Sequence, residues 1–141
     1  MKLPAMILGA ALVGAAAGEM ALVQPKDLAA QLQRKGAQPV LIHVGFGALY
    51  RSKHIPNSIY AGPGATQALR DSVAKLPRNA DIVVYCGCCP WNHCPNIMPA
   101  MEMLRQMGFT RARALYIPTN MVADWYSHGY PTEQGEPAKT R

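Results

Sequence analysis

Asp81-Ile82-Val83-Val84-Tyr85-Cys86-Gly87-Cys88-Cys89-Pro90-Trp91-Asn92-His93-Cys94 decides how this chain is read. The first half is a short apolar, β-branched run, the pattern of a buried strand, and it leads straight into a cysteine. The second half holds all 4 cysteines of the 141-residue chain. A bridge within so short a segment closes only a few residues and adds little to stability, so the cluster reads as chemistry rather than stapling.

Working outward, the neighbouring segments alternate between helix and strand signals. Gln24-Pro25-Lys26-Asp27 opens a helix that carries Leu28 and Leu32 and stops at Gly36. Pro39 to Val44 is a second buried strand, and Gly45 to Lys53 is a loop with room for one helical turn. Ile55-Pro56-Asn57-Ser58 turns into a short strand at Ile59 and Tyr60. Leu69, Val73 and Leu76 mark a helix ended by Pro77. After the cysteine loop, Ala100, Met101, Leu104 and Met107 mark a helix ending at Gly108, with Asn96 placed to cap it. Ala112 to Ile117 is a further strand, and Val122 to His128 a last helical segment. Strands that alternate with helices imply an α/β fold, a parallel sheet covered on both faces, with its ligand site beyond the carboxyl ends of the strands. Cys86 lies at such an end.

Composition narrows the function. Half the residues are hydrophobic and 16% are charged, which excludes a disordered chain. The net charge of +6 is spread without a dense basic run, and aromatics are only 7%, so no nucleic-acid partner is expected. Lys2, the apolar stretch Ala5 to Val13 and the small residues Ala15-Ala16-Ala17 form a signal-peptide pattern over residues 1–17. The expectation is an exported protein, in a bacterial periplasm, with no membrane attachment once the leader is removed. Residues 18–131 then form the domain, and 132–141 a loosely ordered tail. Such a compartment is oxidising, where clustered thiols acquire redox meaning.

The cluster supports three kinds of chemistry. Cys86 at a strand end, followed by a loop and a helix N-terminus, can be a nucleophile whose thiolate is favoured by backbone N–H groups and the helix dipole. Two of the cysteines can cycle between dithiol and disulfide, Cys88–Cys89 as a strained vicinal pair or Cys89–Cys94 across the loop. Or Cys88, Cys89 and Cys94, with His93, can hold a soft ion such as Cu(I) or Zn. A purely structural domain with both disulfides closed is a further alternative. The spaced methionines Met98, Met101, Met103 and Met107 fit core packing on a helix.

Several segments together resemble the rhodanese-like, single-domain sulfurtransferase superfamily. These are Val40-Leu41-Ile42-His43-Val44, Lys53-His54-Ile55-Pro56-Asn57-Ser58-Ile59, Ile82-Val83-Val84-Tyr85-Cys86, Leu104-Arg105-Gln106-Met107-Gly108-Phe109 and Trp125-Tyr126-Ser127-His128-Gly129-Tyr130-Pro131. The resemblance implies a mainly parallel five-stranded sheet flanked by helices, with Cys86 as the persulfide-carrying residue. It implies a loop of Gly87, Cys88, Cys89, Trp91, Asn92, His93, Cys94 and Asn96 around that residue, and no cofactor. The implied partners are a small sulfur-containing anion or a thiol or disulfide acceptor. The alternative is a non-enzymatic binding protein whose cysteines hold copper or zinc. The chain departs from the family pattern in three places. The loop is longer, it carries no Arg or Lys between Cys86 and Asn96, and His43 and Gly45 stand where an acidic residue and an Arg are usual.

Overall fold

Five short strands pair side by side in a sheet ordered β1-β5-β4-β2-β3 in the computed structural model, which describes residues 19–136. The strands are β1 (Leu22–Val23), β2 (Val40–His43), β3 (Ile59–Tyr60), β4 (Ile82–Tyr85) and β5 (Ala112–Leu115). Every pairing is parallel. Parallel neighbours need a crossover, and helices supply most of that chain: α1 (Pro25–Gln33), α2 (Gly47–Ser52), α3 (Gln67–Val73), α4 (Ile97–Gln106) and α5 (Met121–Asp124). The leader expected over 1–17 lies outside the described residues. Among the described residues, no helix is long and apolar enough to cross a membrane.

β4 is the central strand, and all four of its residues are buried. Its side chains alternate between two cores, as the period of two requires. Ile82 and Val84 face Leu69 and Val73 of α3 and Ile97, Ala100 and Leu104 of α4. Val83 and Tyr85 face Leu28 of α1, Met121 of α5 and Trp125. The sheet is thus covered on both faces, and each fully buried Leu or Ile contributes roughly 1.5–3 kcal/mol. β2 and β4 run in register from Val40↔Ile82 to His43↔Tyr85, so both strands end at one level.

The elements follow the sequence pattern closely, with three differences. α3 stops at Val73, short of Leu76, because Pro77 disfavours helical backbone in the residue before it. Thr66 starts that helix by accepting a hydrogen bond from the Leu69 N–H at 3.0 Å. β1 was not anticipated, since two residues carry no periodicity; it adds an edge strand to β5. The last helical segment divides into α5 and a 3₁₀ turn at Tyr126–His128. At the start of the tail, Glu133 exchanges backbone hydrogen bonds with His54 at 2.9 Å, and the Gly135 N–H donates to the Arg51 carbonyl at 3.0 Å.

Tyr85 ties the sheet to the His-Ile-Pro turn. Its hydroxyl accepts from the Ile55 N–H at 3.1 Å and meets the Ser58 hydroxyl at 2.7 Å, both buried. Tyr85→Phe leaves the Ile55 N–H unpaired in the interior, and is expected to cost about 1–3 kcal/mol. Urea unfolding should show a lower midpoint with an unchanged slope.

Candidate active site

Cys86 follows the last residue of β4, and its sulfur sits between the loop after β2 and the start of α4. The approach is tight on the β2 side. A Cβ placed on Gly45 would lie 2.9 Å from the Cys86 Sγ and 2.9 Å from the His43 Cε1. Only glycine leaves room for both. Gly87 is different: a Cβ there meets nothing closer than 3.7 Å, so its side chain is not excluded.

The other cysteines gather around that sulfur. All four are free thiols. Cys86 and Cys88 sulfurs are 3.5 Å apart, and the vicinal Cys88 and Cys89 sulfurs 2.7 Å apart. Cys86, Cys88 and Cys94 all bring their sulfurs within 4.8 Å of one another. Cys86 and Cys94 are buried, whereas Cys88 is exposed and forms the outer member of the group.

The loop takes this shape for local reasons. The Trp91 N–H donates to the Ile117 carbonyl at 2.9 Å, and the Trp91 ring lies 6.2 Å from Tyr116, so this residue anchors the loop beside β5. Pro90 leads into one 3₁₀ turn over Trp91–His93, closed by a 3.0 Å bond from the His93 N–H to the Pro90 carbonyl. The turn returns the chain so that Cys94 points inward. Asn96 occupies the N-cap position of α4 but makes no side-chain cap bond. Its Nδ2 instead donates to the Cys86 Sγ at 3.6 Å. The residue expected to cap the helix serves the sulfur.

The Cys94 thiol and burial together correct the expected electrostatics of Cys86. The contact with the Cys94 thiol and then desolvation push the Cys86 thiol well above its ordinary range. The Cys88 backbone N–H and the Asn96 amide oppose this and lose. Cys89 is pushed up to about 11, desolvation being the larger cause and its Cys88 neighbour the next.

His43 ends β2 beside this cluster. Its Nδ1 accepts from the Gly45 N–H at 3.1 Å, so the ring proton resides on Nε2. Nε2 lies 3.7 Å from where a Gly87 Cβ would stand, on the loop side. Tyr85 and Tyr50 meet the ring edge-on. Desolvation, helped by His54, lowers its pKa to about 4, so His43 is a neutral donor at neutral pH.

The residues named for the metal alternative are not brought together as a set. His93 is exposed and its Nδ1 meets the Asn92 side chain at 3.0 Å, outside the sulfur group. The three grouped ligand atoms among the described residues are the sulfurs of Cys86, Cys88 and Cys94, so Cys86 replaces His93 and Cys89. The close contact made possible by Gly45 was missed; its only trace in the sequence is a glycine where a long side chain is usual.

Neither a protein-family model nor a curated protein matches the chain at the sequence level. Solved structures do match. The rhodanese-like domain of an Anabaena protein superposes with a TM-score of 0.60 at 20% identity, over 84% of this chain and 83% of that one. The fold decides the family resemblance. This chain has a rhodanese-like fold. The polysulfide-sulfur transferase homodimer of Wolinella succinogenes gives a TM-score of 0.61 at 19% identity, over 86% of this chain and 84% of that one. Thiosulfate sulfurtransferase of Pseudomonas aeruginosa gives 0.62 at 21% identity, with 83% of this chain matched to 21% of that one. At these identities the rhodanese-like likeness is one of architecture, and the chemistry has to be argued from the sulfurs.

Two tests bear on this geometry. Gly45→Ala forces apart Cys86 and His43, an overpacking cost of roughly 1–3 kcal/mol, and mass-detected alkylation should find Cys86 more reactive than in the parent. Second, the unfolded chain takes up a proton on His43 near pH 6.5 and the folded chain only near 4. Stability is therefore lost as pH falls through that window, by up to ~3 kcal/mol. In His43→Asn, urea midpoints measured from pH 7 to 4 should lose that part of the slope.

Proposed function

We propose that this protein transfers sulfane sulfur, or carries out the related thiol–disulfide exchange, through a persulfide or mixed disulfide on Cys86. The observation that carries this reading is the pair of Cys86 and Cys88 sulfurs at 3.5 Å, one buried at the end of the central strand and one exposed. A thiolate at Cys86 attacks the outer sulfur of a donor R–S–SH. The donor S–S bond breaks, RS⁻ leaves, and Cys86–S–SH forms. Cys88 then attacks that outer sulfur, takes it as Cys88–S–SH, and returns Cys86 as thiolate. An outside thiol collects the sulfur from the exposed position. No step changes the total number of electrons, so no separate oxidant is needed.

The surroundings favour an uncharged carrier over a sulfonate. The loop offers no Arg or Lys between Cys86 and Asn96. Beside it, Phe46 and Leu49 are exposed apolar side chains, and Leu49 lies 3.7 Å from the position of a Gly87 Cβ. Two clefts among the described residues, of about 820 and 360 Å³, are lined by none of the cysteines. An incoming sulfur therefore reaches Cys86 from the surface, past the exposed Cys88, which suits a thiol or persulfide carried by another molecule. His43 Nε2–H is placed on the loop side as a neutral donor. The signal-peptide pattern over 1–17 supports the further proposal that this work is done after export, in an oxidising compartment such as a bacterial periplasm.

Inorganic polysulfide added to the reduced protein should raise its intact mass in steps of ~32 Da. Cys86→Ser should abolish the stable adduct and the transfer to added thiol while the protein still folds. Cys88→Ser should keep the adduct on Cys86 but hand it on at least ~10-fold more slowly. Transfer retained in Cys86→Ser would overturn the nucleophile assignment. Because the Cys86 thiol is held protonated, the transfer rate should climb about tenfold per pH unit from about pH 7 to 9; a plateau below about pH 7 rules out that ground state.

A further inference from the structure

We propose that Cys86, Cys88 and Cys94 form a three-thiolate site for Cu(I). The proposal goes beyond sulfur transfer and does not rest on it. An ion held by three sulfurs through bonds of about 2.3 Å needs those sulfurs roughly 4 Å apart. Here the Cys86–Cys88 pair is 3.5 Å apart and all three sulfurs lie within 4.8 Å, so they bracket the required spacing and need only small adjustments. Two of the three ligands are buried, which fixes them, and the exposed third, Cys88, gives the ion a way in.

Donor chemistry selects the ion. Three thiolates with no oxygen ligand favour a soft cation over Mg or Ca. Structural zinc takes four ligands, and among the described residues three sulfurs group within mutual reach of one ion. Cys89 meets Cys88 and Cys94 but lies outside that group, and His93 is turned outward to Asn92. The His43 Nδ1 is already occupied by the Gly45 N–H. Cu(I) is content with three sulfurs. On binding, three S–H protons pass to solvent as three Cu–S bonds form, and no group is oxidised or reduced. The resulting negative charge sits beside the Asn96 Nδ2, 3.6 Å from the Cys86 Sγ, and beside the N-terminus of the ten-residue α4 helix that Asn96 precedes.

The test titrates the reduced full chain with Cu(I), without oxygen, against a coloured Cu(I) chelator. One ion per chain is expected, with release of three protons. Cys88→Ser and Cys94→Ser should each lower affinity by at least ~100-fold, the upper end of what losing a mere outer partner costs. Cys89→Ser and His93→Ala should stay within about threefold of the parent. A second measurement needs no variant: in the loaded wild-type protein, alkylation and peptide mapping should find Cys86, Cys88 and Cys94 protected and Cys89 labelled. Cys94→Ser separates this site from the transfer reading: it should lose copper, while the sulfur adduct on Cys86 should form at least as fast as in the parent because the contact with the Cys94 thiol is gone. Labelling of Cys94 in the loaded protein, a requirement for Cys89 or His93, or preference for Zn(II) over Cu(I) overturns the proposal.

Discussion

At Gly45 a methyl group has nowhere to go, and that steric limit organises the site. The chain leaves β2 and passes so close to the Cys86 sulfur that a Cβ would stand 2.9 Å from it. The same backbone uses its N–H to orient His43. One residue thus sets the depth of the sulfur and the tautomer of the histidine beside it. Because β2 and β4 are adjacent, parallel and in register, both strands deliver their last side chains to one place. The rhodanese-like sheet supplies this juxtaposition, and the longer loop adds further thiols to it.

Charge is the second constraint. A persulfide or thiolate buried at a strand end has to be stabilised by nearby dipoles or cations. The loop carries no cation between Cys86 and Asn96, and the Cys88 N–H with the Asn96 amide does not offset burial and the Cys94 thiol. At rest the Cys86 thiol is therefore held protonated and His43 neutral. Under the proposed sulfur transfer, a neutral pocket with an apolar rim would disfavour sulfonate anions, which would lose hydration without gaining a countercharge. It is correspondingly receptive to partners that bring their own compensation, either a neutral sulfur carrier or a cation.

Much of this architecture was legible in the sequence because helix and strand signals were each carried by several residues. The buried run Ile82 to Tyr85 and the alternation around it gave the parallel sheet and placed Cys86 at its carboxyl edge. Leu22–Val23 was not legible, since a two-residue edge strand is defined by its partner rather than by its own pattern. Asn96 read as a cap from local spacing, but its amide is claimed by a sulfur ten positions away, a tertiary contact that sequence spacing does not encode. The same limit explains Cys86. A strand end near a helix N-terminus suggests a lowered pKa, whereas packing against Cys94 and loss of water decide the opposite direction. The ligand set shifted because a single 3₁₀ turn sends Cys94 inward and leaves His93 outside.

The proposed sulfur transfer and the proposed copper binding draw on the same atoms, and so would exclude each other on one molecule. An ion seated on three thiolates ties up the lone pairs that Cys86 needs for attack. A persulfide or disulfide at Cys86 and Cys88 removes two of the three ligands the ion needs. The position of Cys88 makes this choice responsive to the surroundings, since it is the exposed member and also touches Cys89. Oxidation of that vicinal pair would withdraw Cys88 from both chemistries while leaving Cys86 and Cys94 reduced in the interior. If both proposals hold, a cluster of four thiols with one exposed junction acts as a branch point, where the redox state of the outermost sulfur decides what the buried one can do.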